Sequence, residues 1–260
     1  MANTLETLRN ILSKKIMLLD GPRGTMIQKL RLTEEDFRGK LLKDHPHELK
    51  GNNDILCLTQ PEIVKDIHRA FLNSGAEILG TNTFNGNGIS QADYKTEHLV
   101  YDLNFNAAKI AKECVDEFNA KDSSFQRFVA GAMGPTNKTL SMSPSVTDPG
   151  YRAVTFDQVS KVYKEQARGL MNGGADILLL ETVFDTLNAK AAIYAIMELS
   201  RETGKQIPLM ISGTVVDMSG RTLSGQTIEA FWISVSHAQN LLSVGVNCSL
   251  GAPEMRPFIE

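Results

Sequence analysis

The segment LMNGGADILLLET, residues 170–182, contains the pattern that decides the fold. Its first half ends a helical pattern at a pair of glycines, and its second half holds residues 177–180, an unbroken apolar run of strand length. A strand that is apolar without alternation is typical of a parallel sheet buried on both faces. The same order of features occurs earlier in the chain, in FLNSGAEILGTNT, residues 71–83. The chain therefore repeats a helix-to-strand unit, which indicates an α/β fold.

Apolar runs of this kind recur along the chain, and helical patterns separate them. Thr59 and Glu62 have the spacing of a capping box at the start of a predicted helix that stops at Gly75. Thr155 and Gln158 have the same spacing ahead of the helix that ends at the glycine pair. The strand candidates are residues 16–19, 78–80, 128–132, 177–180, 209–212 and 244–247.

This alternation fits either an open doubly wound sheet or an eight-stranded barrel. Two features favour the barrel, whose strands end at one common mouth: no Gly-x-Gly-x-x-Gly fingerprint follows the first strand, and polar residues follow most of the strands. Because six units are counted, we predict a (β/α)8 TIM-type barrel truncated after about six βα units. No linker divides the chain, so residues 1–260 are predicted to form one barrel domain, incomplete at its C-terminus. The polar residues are Asp20, Asn82, Thr136, Glu181, Asp217 and Cys248.

The composition excludes several classes of protein. Of the 260 residues, 42% are hydrophobic and 22% charged, which excludes disordered and fibrous chains. Lys and Arg number 27 against 30 Asp and Glu, and a net charge of -3 provides no basic field for a nucleic-acid backbone. The chain has no apolar run of bilayer length and no signal-peptide pattern, and its three cysteines are widely spaced. We expect a cytoplasmic protein that binds neither nucleic acid nor membranes.

Thiol and carboxyl groups are the candidates for chemistry. Cys248 follows the last candidate strand, where it could be a metal ligand, a nucleophile or a small buried side chain. Cys114 lies on an apolar helical stripe and Cys57 within an apolar run, so we predict that both serve packing. Asp20 and Glu181 each end an apolar run, where they either bind something cationic at the common mouth or make structural hydrogen bonds.

Other polar features carry weaker signals. The loops at 136–149 and 217–226 are long and polar, and we expect them to shape a site. Residues 21–25, GPRGT, lack the ending of a phosphate-binding loop but can offer backbone amides to a carboxylate. No two histidines have metal-ligand spacing, and surface positions are predicted for all five: His45, His47, His68, His98 and His237.

Taken together, several segments resemble the homocysteine-binding, N-terminal domain of cobalamin-dependent methionine synthase, in the homocysteine S-methyltransferase family. The resemblance runs from about residue 15 to the end, and the family also includes betaine-homocysteine methyltransferase. The segments that carry it are LLDGPRGTMIQ (18–28), LKGNNDILCLTQPEIV (49–64), TNTFN (81–85), AGAMGPTNKTLSMSP (130–144), GGADILLLETVFDTLNAKAA (173–192), ISGTVVDMSGRTLSGQT (211–227) and VGVNCSLG (244–251).

The resemblance implies a barrel that holds zinc through three cysteine thiolates and takes the homocysteine sulfur as fourth ligand. Cys248 matches the first of these cysteines, and Asn247 matches an asparagine beside the metal. Asp20, Gly21 and Glu181 match positions that hold the amino acid end of homocysteine. The other two cysteines would lie beyond residue 260, as would the last two strands, and the folate, cobalamin and reactivation domains of the full enzyme are absent.

The implied function is zinc-dependent activation of homocysteine, which takes a methyl group from methylcobalamin on a separate domain to give methionine. The implied partners are homocysteine and the cobalamin and folate domains of the full-length enzyme. The isolated chain is expected to hold less than one zinc and to be inactive. One alternative is a homocysteine-binding or assembly module without catalysis of its own, and another is an unrelated barrel enzyme in which Cys248 is inert.

Two residues depart from the pattern of the family. Gly80 stands before TNTF, where such sequences usually have an acid. Arg23 stands where they often have Met. Both lie beside the predicted site, so we expect them to alter its mouth.

Overall fold

A parallel sheet forms the centre of the computed structural model, which describes residues 4–124 and 126–260. Its strands are hydrogen-bonded in chain order, as expected when each helix returns the chain to the next position of one sheet. Each strand candidate from residue 78 onward is confirmed, although the last lies a few residues earlier than predicted. The strands are β1 Ile78–Gly80, β2 Phe128–Met133, β3 Ile177–Val183, β4 Leu209–Gly213 and β5 Leu241–Val246.

Helices connect the strands and cover one face of the sheet. The longer ones, α7, α8 and α9, pack side by side. The helices are α1 Thr4–Leu12, α2 Arg23–Lys29, α3 Glu34–Arg38, α4 Leu56–Thr59, α5 Pro61–Asn73, α6 Gly88–Gln91, α7 Val100–Lys121, α8 Phe156–Gly173, α9 Thr186–Thr203, α10 Ile228–Val235 and α11 Ala252–Met255. Short 3-10 turns occur at Asn53–Ile55, Ala92–Tyr94, Glu97–Leu99 and Arg256–Phe258.

The apolar run at 16–19 does not form a strand, so this prediction was wrong. Leu19 forms a single parallel bridge to Ile78 of β1, and Ile78 N donates a 3.0 Å hydrogen bond to Leu18 O. Ile16 is 86% exposed, so the first part of the run lies at the surface and not in the core between the sheet and its helices. The segment occupies the position of a sixth strand beside β1 without forming a full ladder.

The sheet has two apolar faces, as the unbroken apolar runs predict. In β3, Leu178 and Leu180 pack among the helices, while Ile177 and Leu179 point to the opposite face. That opposite face holds residues from all five strands in one cluster, and Leu8 of α1 packs into it. The sheet therefore curves around an inner core, as in a barrel. The hydrogen-bonded order runs openly from β1 to β5, so the predicted barrel is not closed within the described residues.

Helix termini test the two predicted capping boxes. At α8, Thr155 Oγ1 accepts from Gln158 N at 3.3 Å and Thr155 N donates to Gln158 Oε1 at 2.8 Å, which confirms the box. At α5 the prediction is wrong, because the N-cap is Gln60 and its side chain makes no capping bond. Thr59 is already the last residue of α4, and its hydroxyl donates to Ile55 O at 3.3 Å. In the described part of the chain, no helix is long and apolar enough to cross a membrane.

Candidate active site

Asp20 lies at the carboxyl end of the sheet, directly after the bridge to β1. Its Oδ2 accepts a 2.7 Å hydrogen bond from Arg23 Nη1 and a 3.1 Å hydrogen bond from Gly80 N. The side chain is 3% exposed. Burial raises the pKa of Asp20, and the Arg23 guanidinium opposes that rise. Asp20 is thus a buried carboxyl group held against the end of β1 by a cation from α2.

Glu181 lies at the equivalent end of β3, where the register of β3 against β4 shifts between Leu180 and Val183. Irregularities of this kind re-aim side chains and are frequent next to active sites. Glu181 Oε1 is buried and has no hydrogen-bond partner in the part of the chain that the structure describes. Burial raises the pKa of Glu181, the charge of Arg23 lowers it, and the charge of Asp20 raises it. The structure therefore brings the two predicted acids, Asp20 and Glu181, into one electrostatic environment.

Asp54 is a third acid in this environment, and the sequence reasoning missed it. Its Oδ2 accepts a 2.6 Å hydrogen bond from Asn85 N, and the residue is 3% exposed. Burial raises its pKa to about 7, with Arg23 lowering it and Glu181 raising it further. An acid directly ahead of the apolar run at 55–58 was the available signal. Buried acids of this kind are frequent at functional sites.

Two of the cysteines are buried, as predicted. Cys57 Sγ donates to Asn82 O at 3.4 Å, and burial raises the pKa of its thiol well above the usual range. Cys114 is buried in α7, and burial raises its pKa to about 11. Neither thiol is poised to ionise near neutral pH, so packing is the role that the structure supports for both.

His68 corrects the prediction that all five histidines lie at the surface. It is fully buried in α5, where Val64 and Leu72, one turn away on either side, are also buried. Neither ring nitrogen has a partner among the described residues. Burial and the charge of Arg23 lower its pKa to about 3, so the ring is neutral. The other four are half-buried or exposed: His45, His47, His98 and His237.

Cys248 follows β5 and is exposed, so the packing alternative for this residue is wrong. The side chain of Asn247 connects it to the end of β3. Asn247 Nδ2 donates to Cys248 Sγ at 3.0 Å and to Thr182 Oγ1 at 2.7 Å. Asn247 Oδ1 accepts from Thr182 N at 3.0 Å and from Ser212 Oγ at 2.6 Å. A single amide therefore links the thiol to the residue that follows Glu181.

Backbone strain occurs at the same two strand ends. Thr182 has φ 59, Cys248 has φ 63 and Ser249 has φ 63. A positive φ is unusual for any residue with a Cβ and is a true outlier for a β-branched one. Thr182 is held in this conformation because its backbone N donates to the Asn247 side chain and its hydroxyl oxygen accepts from it. Strain that the surroundings maintain is frequent at functional sites.

Gly21 packs closely against α5. A Cβ at this position would lie 3.0 Å from Phe71 Cε1, so a larger side chain would have to displace the ring. This explains a glycine at the position from the packing alone. The segment at 21–22 then leads into α2, which carries Arg23 toward Asp20.

The loop at 136–149 is fixed near the end of β3. Asp185, the N-cap of α9, accepts hydrogen bonds from Leu140 N at 3.1 Å and from Ser141 N at 2.8 Å. Asn188 Oδ1 accepts a second bond from Leu140 N at 2.9 Å. The other predicted loop, at 217–226, carries an exposed Asp217. Ser224 of this second loop donates to Phe184 O, at 3.2 Å from its backbone N and at 2.9 Å from its hydroxyl, so both loops are held near the end of β3. Among the described residues, no contact places Asp217 itself at the site.

The same residues do not form a metal site. Within residues 4–124 and 126–260, no group of three or more His, Cys, Asp or Glu side chains is arranged to hold a metal ion. Cys248 has a hydrogen-bonding amide and a hydroxyl near its sulfur, the latter at 4.0 Å, but no second thiol. The described residues therefore provide at most one thiolate, where a structural or catalytic zinc site needs three or four protein ligands.

These features define a parallel α/β protein whose site combines buried carboxyl groups with an exposed thiol at the carboxyl ends of its strands. The chain belongs to the homocysteine S-methyltransferase family, whose model matches residues 17–260. This match confirms the resemblance that was inferred from the sequence motifs.

Solved structures show the same fold. The chain is similar to the homocysteine methyltransferase MmuM from Escherichia coli, with a TM-score of 0.72 to the metallated form at 18% identity, covering 95% of this chain and 80% of that one. The oxidized form matches with a TM-score of 0.69 at 18% identity, covering 93% of this chain and 76% of that one.

Proposed function

We propose that the chain binds homocysteine as the methyl acceptor of a methyl-transfer reaction, as in a methionine synthase module. The family supports homocysteine methylation in general. The observation that carries the proposal for this site is the Asn247 side chain, which joins Cys248 Sγ to Thr182 beside Glu181. The Asn247 side chain thereby holds the thiol of Cys248 and the segment that carries Glu181 in a fixed relation. Homocysteine needs such an arrangement, because it has a sulfur at one end and an ammonium group at the other.

The acid end suits an ammonium group. Glu181 Oε1 is buried without a hydrogen-bond partner among the described residues, and such an atom destabilises the protein unless a ligand supplies the missing hydrogen bond. A substrate ammonium would supply it and would also stabilise the ionised carboxylate. Asp20 and the backbone near Gly21 would complete the binding of the amino acid end, and Asn247 would orient the sulfur end.

The chemical step is alkylation of the substrate sulfur. The thiol loses its proton, its sulfur attacks the methyl carbon, and the bond from that carbon to the donor breaks with its electron pair leaving on the donor. A free thiol is mostly protonated at neutral pH, so the reaction needs a group that favours the thiolate. The methyl donor that we propose is methylcobalamin carried by another domain, on the grounds of the segments that resemble methionine synthase.

Zinc would supply that stabilisation of the thiolate, and Cys248 would be one of its ligands. The metallated form of the Escherichia coli protein supports a metal in this family. Because the described residues do not form a set of three ligands, no step of the reaction is assigned to zinc on this chain alone. The same single thiolate favours a second candidate function, a homocysteine-binding module that has no catalysis of its own.

Calorimetric titration with L-homocysteine tests the binding site. Glu181→Gln and Asp20→Asn should each weaken binding, because a charge-assisted hydrogen bond contributes roughly 1.5–3 kcal/mol, or about 10- to 150-fold in affinity. Glu198→Gln is the matched control, since this half-buried acid on α9 forms an ion pair with Lys164 of α8 and not with any residue of the site. Equal affinities for the parent and both site variants would remove these acids from the site.

Metal analysis tests the role of Cys248, and a methyl-transfer assay separates the two candidate functions. We expect the purified 260-residue chain to contain clearly less than one zinc, and Cys248→Ala to remove what is bound, with Cys114→Ala as a control for thiol number. Homocysteine-dependent methyl transfer by the chain would favour the enzyme over the binding module. A full equivalent of zinc that survives Cys248→Ala would show that the metal lies elsewhere.

A further inference from the structure

The two residues that depart from the pattern of the family lie against each other. A Cβ built on Gly80 would lie 2.6 Å from Arg23 Nη1, 3.0 Å from Nη2 and 3.1 Å from Cζ. The backbone of Gly80 is not in the left-handed region, so its conformation does not require glycine. The guanidinium of Arg23 therefore occupies the volume in which a side chain at position 80 would begin, and glycine is needed there for space.

Arg23 also changes what Asp20 can do. Asp20 Oδ2 accepts hydrogen bonds from Arg23 Nη1 and from Gly80 N, so this oxygen already has two donors. The side chains of Arg23 and Asp20 are 15% and 3% exposed, so their ion pair is shielded from water. A carboxylate paired in this way attracts a second cation less strongly, because its charge is already compensated at close range.

The guanidinium has capacity left for a ligand. It carries five N–H donors, and its one hydrogen bond within the described chain is to Asp20. Its charge acts on Glu181, on Asp54 and on His68, which places it among the groups of the site. Burial raises the pKa of Asp54 to about 7, so this acid carries only part of its negative charge near neutral pH and repels an anion near Arg23 less strongly.

We propose that Arg23, matched to Gly80, is the specificity-determining residue of this site, because it neutralises Asp20 and offers its remaining N–H groups to the carboxylate of the substrate. This inference rests on the proposed function, binding of a thiol amino acid. Recognition of the charged end of the substrate is thereby shifted from the ammonium group toward the carboxylate. The ammonium group is then held mainly by Glu181, and Asp20 contributes less than it would without Arg23.

Three thiols test this inference by titration against the 260-residue chain: L-homocysteine, 4-mercaptobutyrate, which lacks the ammonium group, and 3-mercaptopropylamine, which lacks the carboxylate. In the parent chain, loss of the carboxylate should weaken binding about 10-fold more than loss of the ammonium group, as expected for a guanidinium–carboxylate pair. Arg23→Met should abolish this difference. Arg23→Lys should restore part of it, since Lys keeps the charge without the planar fork.

Gly80→Ala gives the same test without altering either charged residue. Its methyl group would displace the guanidinium, so it should reduce the preference for the carboxylate in the parent and have no effect in the Arg23→Met background. Thermal unfolding of each variant shows that it is folded. If homocysteine binds and the preference is equal in the parent, Arg23→Met and Gly80→Ala, the inference is wrong while the proposed function stands. If none of the three thiols binds to the parent, both are wrong.

Discussion

Strands β2 and β5 differ in how completely the rest of the molecule covers them. All six residues of β2 are buried, whereas none of the six in β5 is. The acid end of the candidate site belongs to the covered part of the sheet, and Cys248 continues from the uncovered strand. A groove runs along β5, and Trp232, Val244 and Phe258 are among its lining residues. The charged end of the site is therefore preorganised by the covered part of the sheet, and its sulfur end is open to solvent.

This difference has an energetic reason. Carboxyl groups such as Asp54 and Glu181 acquire raised pKa values only where the surrounding chain excludes water. A thiol that must meet a metal or a substrate needs access instead, and Cys248 has it.

The largest effect is expected at the covered end, from Asp54→Asn. The folded pKa of Asp54, about 7, lies above its ordinary value of 3.8, so the native state binds the extra proton. The cost of burying this carboxyl group is therefore absent below about pH 4 and grows until the pH passes 7, reaching on the order of 4 kcal/mol. Asn carries no such cost. The free energy of unfolding of Asp54→Asn should rise relative to the parent between pH 4 and pH 8.5, as measured by urea titration.

Asp44→Asn is the control for this prediction, because Asp44 is exposed. It should change the free energy of unfolding by about 0.5 kcal/mol or less at every pH. Parallel pH profiles for the parent and Asp54→Asn would contradict the burial of an ionisable group at position 54.

A matched pair of glycines gives the next largest effect. A Cβ on Gly131 in β2 would lie 3.1 Å from Leu170 and 3.2 Å from Leu178, whereas a Cβ on Gly245 in β5 would meet nothing within 4 Å. Gly131→Ala should therefore destabilise the chain by about 1–3 kcal/mol through overpacking. Gly245→Ala should change stability by about 0.5 kcal/mol or less. Similar costs for both substitutions, measured by thermal or urea unfolding, would show that β5 is covered.

The smallest effect on stability concerns association at the edge. An uncovered strand with unpaired backbone groups recruits other chains, and we expect the chain to associate at micromolar concentration. Gly245→Lys should reduce that association, seen by light scattering, while it leaves the unfolding temperature almost unchanged. A parent chain that stays monomeric and melts cooperatively would mean that another segment protects β5.

Features that depend on near neighbours in sequence are predictable, whereas features that depend on distant contacts are not. The capping box of Thr155 was predictable because its partner lies three residues away, whereas the one at Thr59 failed because α4 already includes that residue. His68 was misplaced because its burial depends on what covers α5, although buried neighbours one turn away were a usable signal. Asp20 and Glu181 were placed at one end because the ends of parallel strands meet at the same edge.

The amino-acid sequence by itself determined the parallel α/β class, five of the strands and the family, because these depend on apolar runs, cap spacing and ordered motifs along the chain. Only the tertiary structure decided that Arg23 fills the space over Gly80, that Asn247 clamps Thr182 in a strained conformation, and that residues 18–19 make one bridge instead of a strand. Each of these depends on contacts between residues far apart in sequence. Such contacts exist only once the sheet and its helices have packed, so no local pattern encodes them.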